Sequence, residues 1–310
     1  MSTKIEWTDI TDNIIVAKGG GWWCRKISDG CTHCYAAKLN QSDYFHGNKL
    51  PYSGEPPELL LKAEIIDSWA RQRVAKRHFV ASMTDVFGEW VPREWQFKML
   101  DGMRAAPLQT FQVLTKRADV MLDAVTAWCA SRELFGLPPN VWPMVTAENQ
   151  EQADKRIPYL LKVPALIRGL SVEPILGRVD VGRFLCCPWC AREQPKTDGK
   201  GTTWHDLDGV PIPCPTPETG RGAAVNNIAW VIVGGESGPG ARPCDISNIR
   251  SIVEQCRGAG VACFTKQLGA RAYESAKHEG GTSYFLHLKD RKGGDIEEFP
   301  EDLRVRHLPV

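Results

Sequence analysis

His78–Asp85, H-F-V-A-S-M-T-D, is an apolar, β-rich run that ends in polar residues, and the same pattern returns down the chain. It recurs at Thr110–Arg117 (T-F-Q-V-L-T-K-R), Val141–Asn149 (V-W-P-M-V-T-A-E-N) and Ala165–Pro174 (A-L-I-R-G-L-S-V-E-P). Two further copies follow at Ala229–Gly238 (A-W-V-I-V-G-G-E-S-G) and Val261–Gly269 (V-A-C-F-T-K-Q-L-G). The first four are spaced by about 25 to 32 residues, the length of a strand with its crossover helix. Helix-like stretches at Pro92–Ala105 and Asn149–Leu161 fall between them; in the second, Ala153, Ile157, Leu160 and Leu161 share one face. Such alternation implies a parallel sheet, either doubly wound or a barrel. The Gly-rich first turn of a dinucleotide fold is missing. Five strand ends in succession instead carry polar groups: Ser82, Thr84 and Asp85; Thr115, Lys116 and Arg117; Thr146, Glu148 and Asn149; Ser171 and Glu173; Glu236 and Ser237. Emergence into solvent explains one or two polar ends, whereas a barrel assembles its site from several at once. A weaker strand at Asn13–Ala17 brings the count to six or seven. The expected fold is α/β, an incomplete (β/α)6-type TIM barrel.

Upstream, three cysteines crowd into W-W-C-R-K-I-S-D-G-C-T-H-C-Y-A, residues 22–36, as C-x6-C-x2-C. Cys24, Cys31 and Cys34 can hold three irons of a [4Fe–4S] cluster and leave the fourth open to a small molecule. The competing assignment is a zinc site completed by His33. Trp22 and Trp23 are placed to shield this loop, and Trp90 and Trp95 to line a pocket mouth.

One stretch breaks the repeat. Residues 182–224 are rich in Cys, Pro, Gly and charge, and read as an insertion that splits the barrel domain into 1–181 and 225–310. Cys187 and Cys190 form a C-x2-C knuckle there, and His205 and Cys214 complete a candidate structural zinc site. Unligated cysteines and a second cluster are the alternatives. The isolated Cys129, Cys244, Cys256 and Cys263 read as small buried hydrophobes.

The 310 residues carry 38 basic and 37 acidic side chains, net +1, so no global field draws the chain to nucleic acid or an anionic membrane. Of eleven cysteines, six or seven fall into two tight clusters, which points to metal binding in a reducing compartment. The start, M-S-T-K-I-E-W-T-D, lacks the apolar core of a signal peptide, and no apolar run reaches membrane-spanning length. A cytoplasmic protein without a membrane partner is expected.

The motifs also carry a resemblance. The cysteine loop with C-Y-A resembles radical S-adenosylmethionine (SAM) enzymes, in a relaxed spacing. I-E-W-T-D, S-M-T-D, F-Q-V-L-T-K-R, A-D-K-R-I-P, L-S-V-E-P, W-V-I-V-G-G-E-S-G-P-G-A-R-P and F-T-K-Q-L-G are together similar to a phage and prophage family of three-cysteine-motif proteins, related to spore photoproduct lyase. The resemblance covers nearly the whole chain except the insertion. It implies a [4Fe–4S] cluster whose open iron chelates SAM, a 5′-deoxyadenosyl radical that abstracts hydrogen, and an electron donor such as flavodoxin or ferredoxin. It further implies that Ser82 and Thr84 meet the methionine moiety, that Lys116 pairs with its carboxylate, and that Thr146 binds carboxylate or ribose. Tyr35 and Ser171 join the cofactor contacts, and Lys116, Glu148, Glu173 and Glu236 are the candidate catalytic residues. The implied substrate is a nucleobase, a thymine-type base of phage DNA or a nucleotide. No cysteine follows the S-M-T-D strand end, which argues against photoproduct repair itself. Two other readings compete: a non-catalytic iron–sulfur or zinc nucleic-acid-binding module with Arg192, Lys196 and Lys200 in its grip, and a hydrolase using Glu173 and Glu236 as paired acids.

Overall fold

The computed structural model describes residues 3, 5–43, 47–185, 228–275 and 283–309. Seven parallel strands follow one another in chain order across one sheet: β1 (Ile10–Asp12), β2 (Arg77–Val80), β3 (Thr110–Thr115), β4 (Val141–Thr146), β5 (Gly169–Val172), β6 (Trp230–Gly234) and β7 (Ala262–Gln267). The sheet curls into a half-barrel, a partial α/β barrel. Six of the expected strands are present, from Arg77–Val80 to Ala262–Gln267, each shorter at its C-terminal end because the polar residues there have left the ladder to form the mouth.

The first strand differs from expectation. Ile10–Asp12, rather than Asn13–Ala17, pairs with His78–Val80. Ile15–Ala17 turns away into an antiparallel ribbon with Leu59–Leu61. Asn13, between the two, bends toward the S-M-T-D turn, where its Oδ1 accepts from the Met83 backbone N–H at 3.0 Å.

Period-two alternation divides the strand residues between two cores. Val80, Phe111, Val113, Val145, Leu170, Val231 and Val233 face outward into the helices. Those helices include Arg93–Arg104, Ala118–Ser131, Gln150–Lys162 and Ile246–Gly258. Phe79, Trp142, Met144, Trp230, Ile232 and Phe264 face inward and meet Trp7. Trp7 spans the hollow, packing 4.8 Å from Phe79 of β2 and 6.0 Å from Trp230 of β6. Among the described residues the concave side is therefore filled at its base, and its opening lies at the C-terminal strand ends. The free edge of β7 is covered by the C-terminal segment, through bonds from Thr265 N to Val305 O and from His307 N to Cys263 O. Among the described residues no helix is long and apolar enough to cross a membrane. The insertion lies almost wholly outside the described residues, and with it Cys187, Cys190, His205 and Cys214.

Candidate functional site at the mouth of the half-barrel

The ribbon strand Ile15–Ala17 delivers the chain to the mouth through Gly19, Gly20 and Gly21, all at positive φ. At Gly21 a Cβ would lie 2.4 Å from the Asn48 backbone nitrogen, so only glycine fits that turn. The cysteine loop then crosses the strand ends and bonds to them one after another. The Trp23 carbonyl accepts from Thr84 Oγ1 at 2.6 Å, and the Arg25 carbonyl from Arg117 Nη2 at 3.1 Å. Gly30 N–H donates to Glu148 Oε1 at 3.0 Å, and the Tyr35 hydroxyl to the Ser82 carbonyl at 2.7 Å. Tyr52 donates to the Met83 carbonyl at 2.7 Å. The S-M-T-D turn beneath starts from Ala81 at φ 59°, a left-handed non-glycine residue of the kind that persists where the surroundings over-determine it.

Cys24, Cys31 and Cys34 line one cavity. Tyr35, Ser82, Thr84, Lys116 and Thr146 share its wall. Lys116 Nζ reaches only Thr146 Oγ1, at 3.5 Å, and makes no ion pair among the described residues. Burial pushes the Cys24 thiol up to about 12, with the nearby Asp85 carboxylate adding to the shift. Trp90 backs the wall: Arg117 lies 4.5 Å over its ring and Trp23 meets it edge-on at 4.8 Å.

The carboxylates at the strand ends each have a cation. Asp85 is buried and accepts from Thr115 Oγ1 at 2.7 Å and from Arg117 Nη1 at 3.2 Å. Glu148, fully buried, accepts from Arg156 Nη1 at 2.8 Å. Burial opposes its ionisation, but the Arg156 charge and further hydrogen bonds hold its carboxyl below the usual range. Glu173 pairs with Lys266 of β7 at 2.7 Å. Glu236 accepts from Arg242 Nη2 at 2.8 Å and Nε at 3.1 Å, and lies 2.9 Å from His33 Nδ1. Burial again opposes ionisation, yet the Arg242 side-chain and backbone bonds hold this carboxyl at about 2. Glu148, Glu173, Glu236 and Ser171 therefore stand outside the cavity lining, and the Ser171 carbonyl accepts from Ala147 N at 2.9 Å.

Three thiols and the Lys116 ammonium thus share one cavity wall, and three thiolates are the donor set of a cluster that leaves one iron open. Among the described residues no three His, Cys, Asp or Glu side chains gather closely enough to hold a metal ion. His33, the alternative zinc ligand, has its Nδ1 2.9 Å from Glu236 Oε2.

The sequence reading misses Gly30, Arg156 and Arg242. Arg156 and Arg242 lie within quoted motifs, but nothing in a single sequence pairs an arginine with a particular glutamate. A Cβ on Gly30 would sit 2.9 Å from Glu148 Cδ, and that carboxylate is locked by Arg156. Gly30→Ala is expected to destabilise the protein by about 1–3 kcal/mol, as overpacking does. Chemical denaturation checks it, and an unchanged midpoint would mean the loop relaxes freely.

Residues 2–294 match the model of a family described as Protein of unknown function (DUF5131). No curated protein and no solved structure matches the chain. Because the match runs through nearly the whole barrel, from I-E-W-T-D to beyond F-T-K-Q-L-G, the chain belongs to that family.

Proposed function

We propose that the chain is a radical SAM enzyme acting on a nucleobase, in phage DNA or as a nucleotide. The observation that carries the chemistry is the single cavity lined by Cys24, Cys31 and Cys34 together with Ser82, Thr84, Lys116 and Thr146. Cys24, Cys31 and Cys34 would hold a [4Fe–4S] cluster. When bound, such a cluster supplies an open iron for SAM and the electron that cleaves its sulfonium, drawn from a flavodoxin- or ferredoxin-like donor. The chain's own residues bind and orient. Lys116 offers a fixed ammonium to the SAM carboxylate, next to the Thr146 hydroxyl. Ser82 and Thr84 present the S-M-T-D turn to the methionine end. Tyr52, Phe79, Met83 and Leu114 line the cavity with apolar surface and limit water. The nucleobase as substrate follows from the family resemblance alone.

Lys116→Ala is expected to weaken SAM binding by about 10- to 100-fold, since a charge-assisted bond is lost from a half-buried site. Equilibrium dialysis on reconstituted protein reads it; unchanged affinity would remove Lys116 from the site. The reading as a whole is tested by anaerobic reconstitution with iron and sulfide, addition of dithionite and SAM, and mass spectrometry for 5′-deoxyadenosine. Formation of 5′-deoxyadenosine that requires all three cysteines supports it. A cluster that assembles but leaves SAM unbound and intact would make the protein a metal-bearing binding module instead.

A further inference from the structure

Six residues separate Cys24 from Cys31, and a loop of that length has many conformations to lose before its thiols can converge. In this chain four of the six, Arg25, Ser28, Asp29 and Gly30, are bonded from below. Each cysteine has beside it a contact to a carboxylate–guanidinium pair rooted at a strand end. Next to Cys24, the Arg25 carbonyl accepts from Arg117, which is paired with Asp85. Before Cys31, the Ser28 hydroxyl accepts from Arg156 Nη2 at 2.9 Å, and Gly30 N–H donates to Glu148, the partner of Arg156. The Asp29 carbonyl between them accepts from Arg242 Nη1 at 3.1 Å, and His33, before Cys34, lies against Glu236, the partner of Arg242.

We propose that these three pairs preset the cysteine loop, so that Cys24, Cys31 and Cys34 are held in place in the metal-free chain. On this view Asp85, Glu148 and Glu236 are positioning residues that act through the loop. The argument is energetic as well as geometric. Asp85, Glu148, Arg117 and Arg156 are buried, where an ion pair repays its desolvation only if the remaining hydrogen-bonding groups are satisfied. Here part of that satisfaction comes from the backbone and hydroxyl of the loop itself. Displacing the loop strands buried donors and acceptors, so loop and pairs hold or open together. A guanidinium suits the task because its planar fork reaches a carboxylate and a loop oxygen at once, which a lysine ammonium on its single point does not. The same contacts account for the glycine at position 30, where any side chain would displace the Glu148 carboxylate.

This proposal rests on the cysteine loop being a metal-binding loop, but its test does not require bound metal. Amide hydrogen exchange on the full metal-free chain, read by mass spectrometry over residues 24–35, measures loop opening directly. The wild-type segment is expected to exchange far more slowly than an unstructured peptide. Ser28→Ala, at a half-buried position that leaves the sheet core intact, is expected to speed it about tenfold, the effect of one lost charge-assisted bond, and Arg242→Ala by at least as much, since it removes the bond to Asp29 and both side-chain bonds to Glu236. Arg242→Lys should fall between Arg242→Ala and wild type, and exchange in the β3 and β4 strands should not change. Glu148→Ala should act more strongly; if it fails to fold, the two milder variants still decide. In reconstituted protein the milder variants are expected to lower iron per chain and broaden the electron paramagnetic resonance signal, a readout that general destabilisation away from the loop would not move. An unprotected wild-type loop, or variants that exchange as wild type does, would overturn the proposal. Failure of wild-type protein to take up iron would instead overturn the enzyme reading, with the exchange result still judging the three pairs.

Discussion

The Cys24, Cys31 and Cys34 triple-alanine variant is expected to take up no iron above background after anaerobic reconstitution while keeping its fold. Cys24 and Cys34 pack against a small cluster at the mouth, with Ala36, Tyr52 and Met83, that is separate from both main cores. Removing three sulfurs there exposes little apolar surface, and the bonds that hold the loop run through Trp23, Arg25, Ser28, Asp29 and Gly30 rather than through the thiols. Colorimetric iron and visible absorbance give the first readout, and circular dichroism with thermal unfolding the second. Full iron loading in the variant would move the metal site elsewhere in the chain and remove the basis for the proposed chemistry. Loss of fold together with loss of iron would show that the loop depends on its thiols, contrary to the bonding pattern at the strand ends.

Trp230→Ala has the largest expected effect on stability. Trp230 is fully buried at the base of the half-barrel, with Trp142 at 5.9 Å, Trp7 at 6.0 Å and Phe264 at 6.4 Å, each near-perpendicular to it. Its indole Nε1 donates to the His307 carbonyl at 3.0 Å, which ties the C-terminal segment down. Truncation removes the centre of an aromatic cluster that closes an otherwise open sheet, and the backbone cannot collapse onto the gap. The expected cost is about 3–5 kcal/mol, as for large-to-small changes at buried tryptophan. For a chain of this size that lowers the melting temperature by roughly 10 °C. Trp230→Phe should recover most of it, because the ring packing survives and only the Nε1 bond is lost. Equal melting temperatures for wild type and Trp230→Ala would mean that the cluster fills space without holding the two edges together.

Much of the architecture is legible in the chain because it rests on local rules. Six strands announce themselves by apolar β-branched runs, and their spacing leaves room for one crossover helix each. The helices at Arg93–Arg104 and Gln150–Lys162 end within a residue of the expected limits, in the second case because Asn149 caps its start by accepting from Gln152 N. The first strand escapes notice since I-T-D is three residues long and two of the three are polar. It is a strand only because β2 offers it an edge.

The sequence by itself determined the strand–helix repeat, the three-cysteine loop and the polar character of the strand ends, since each depends on residue type and spacing within one segment. Only the tertiary structure decided how those polar ends divide their work. Lys116 and Thr146 remain on the cavity wall beside the cysteines, while Glu148, Glu173 and Glu236 are each committed to a cation. That division is a matter of which side chains meet across about 10 to 200 residues of chain, as in Glu148 with Arg156 and His33 with Glu236. A carboxylate reads the same in sequence whether it faces a cavity or an arginine, and burial beside a fixed guanidinium is what separates the two.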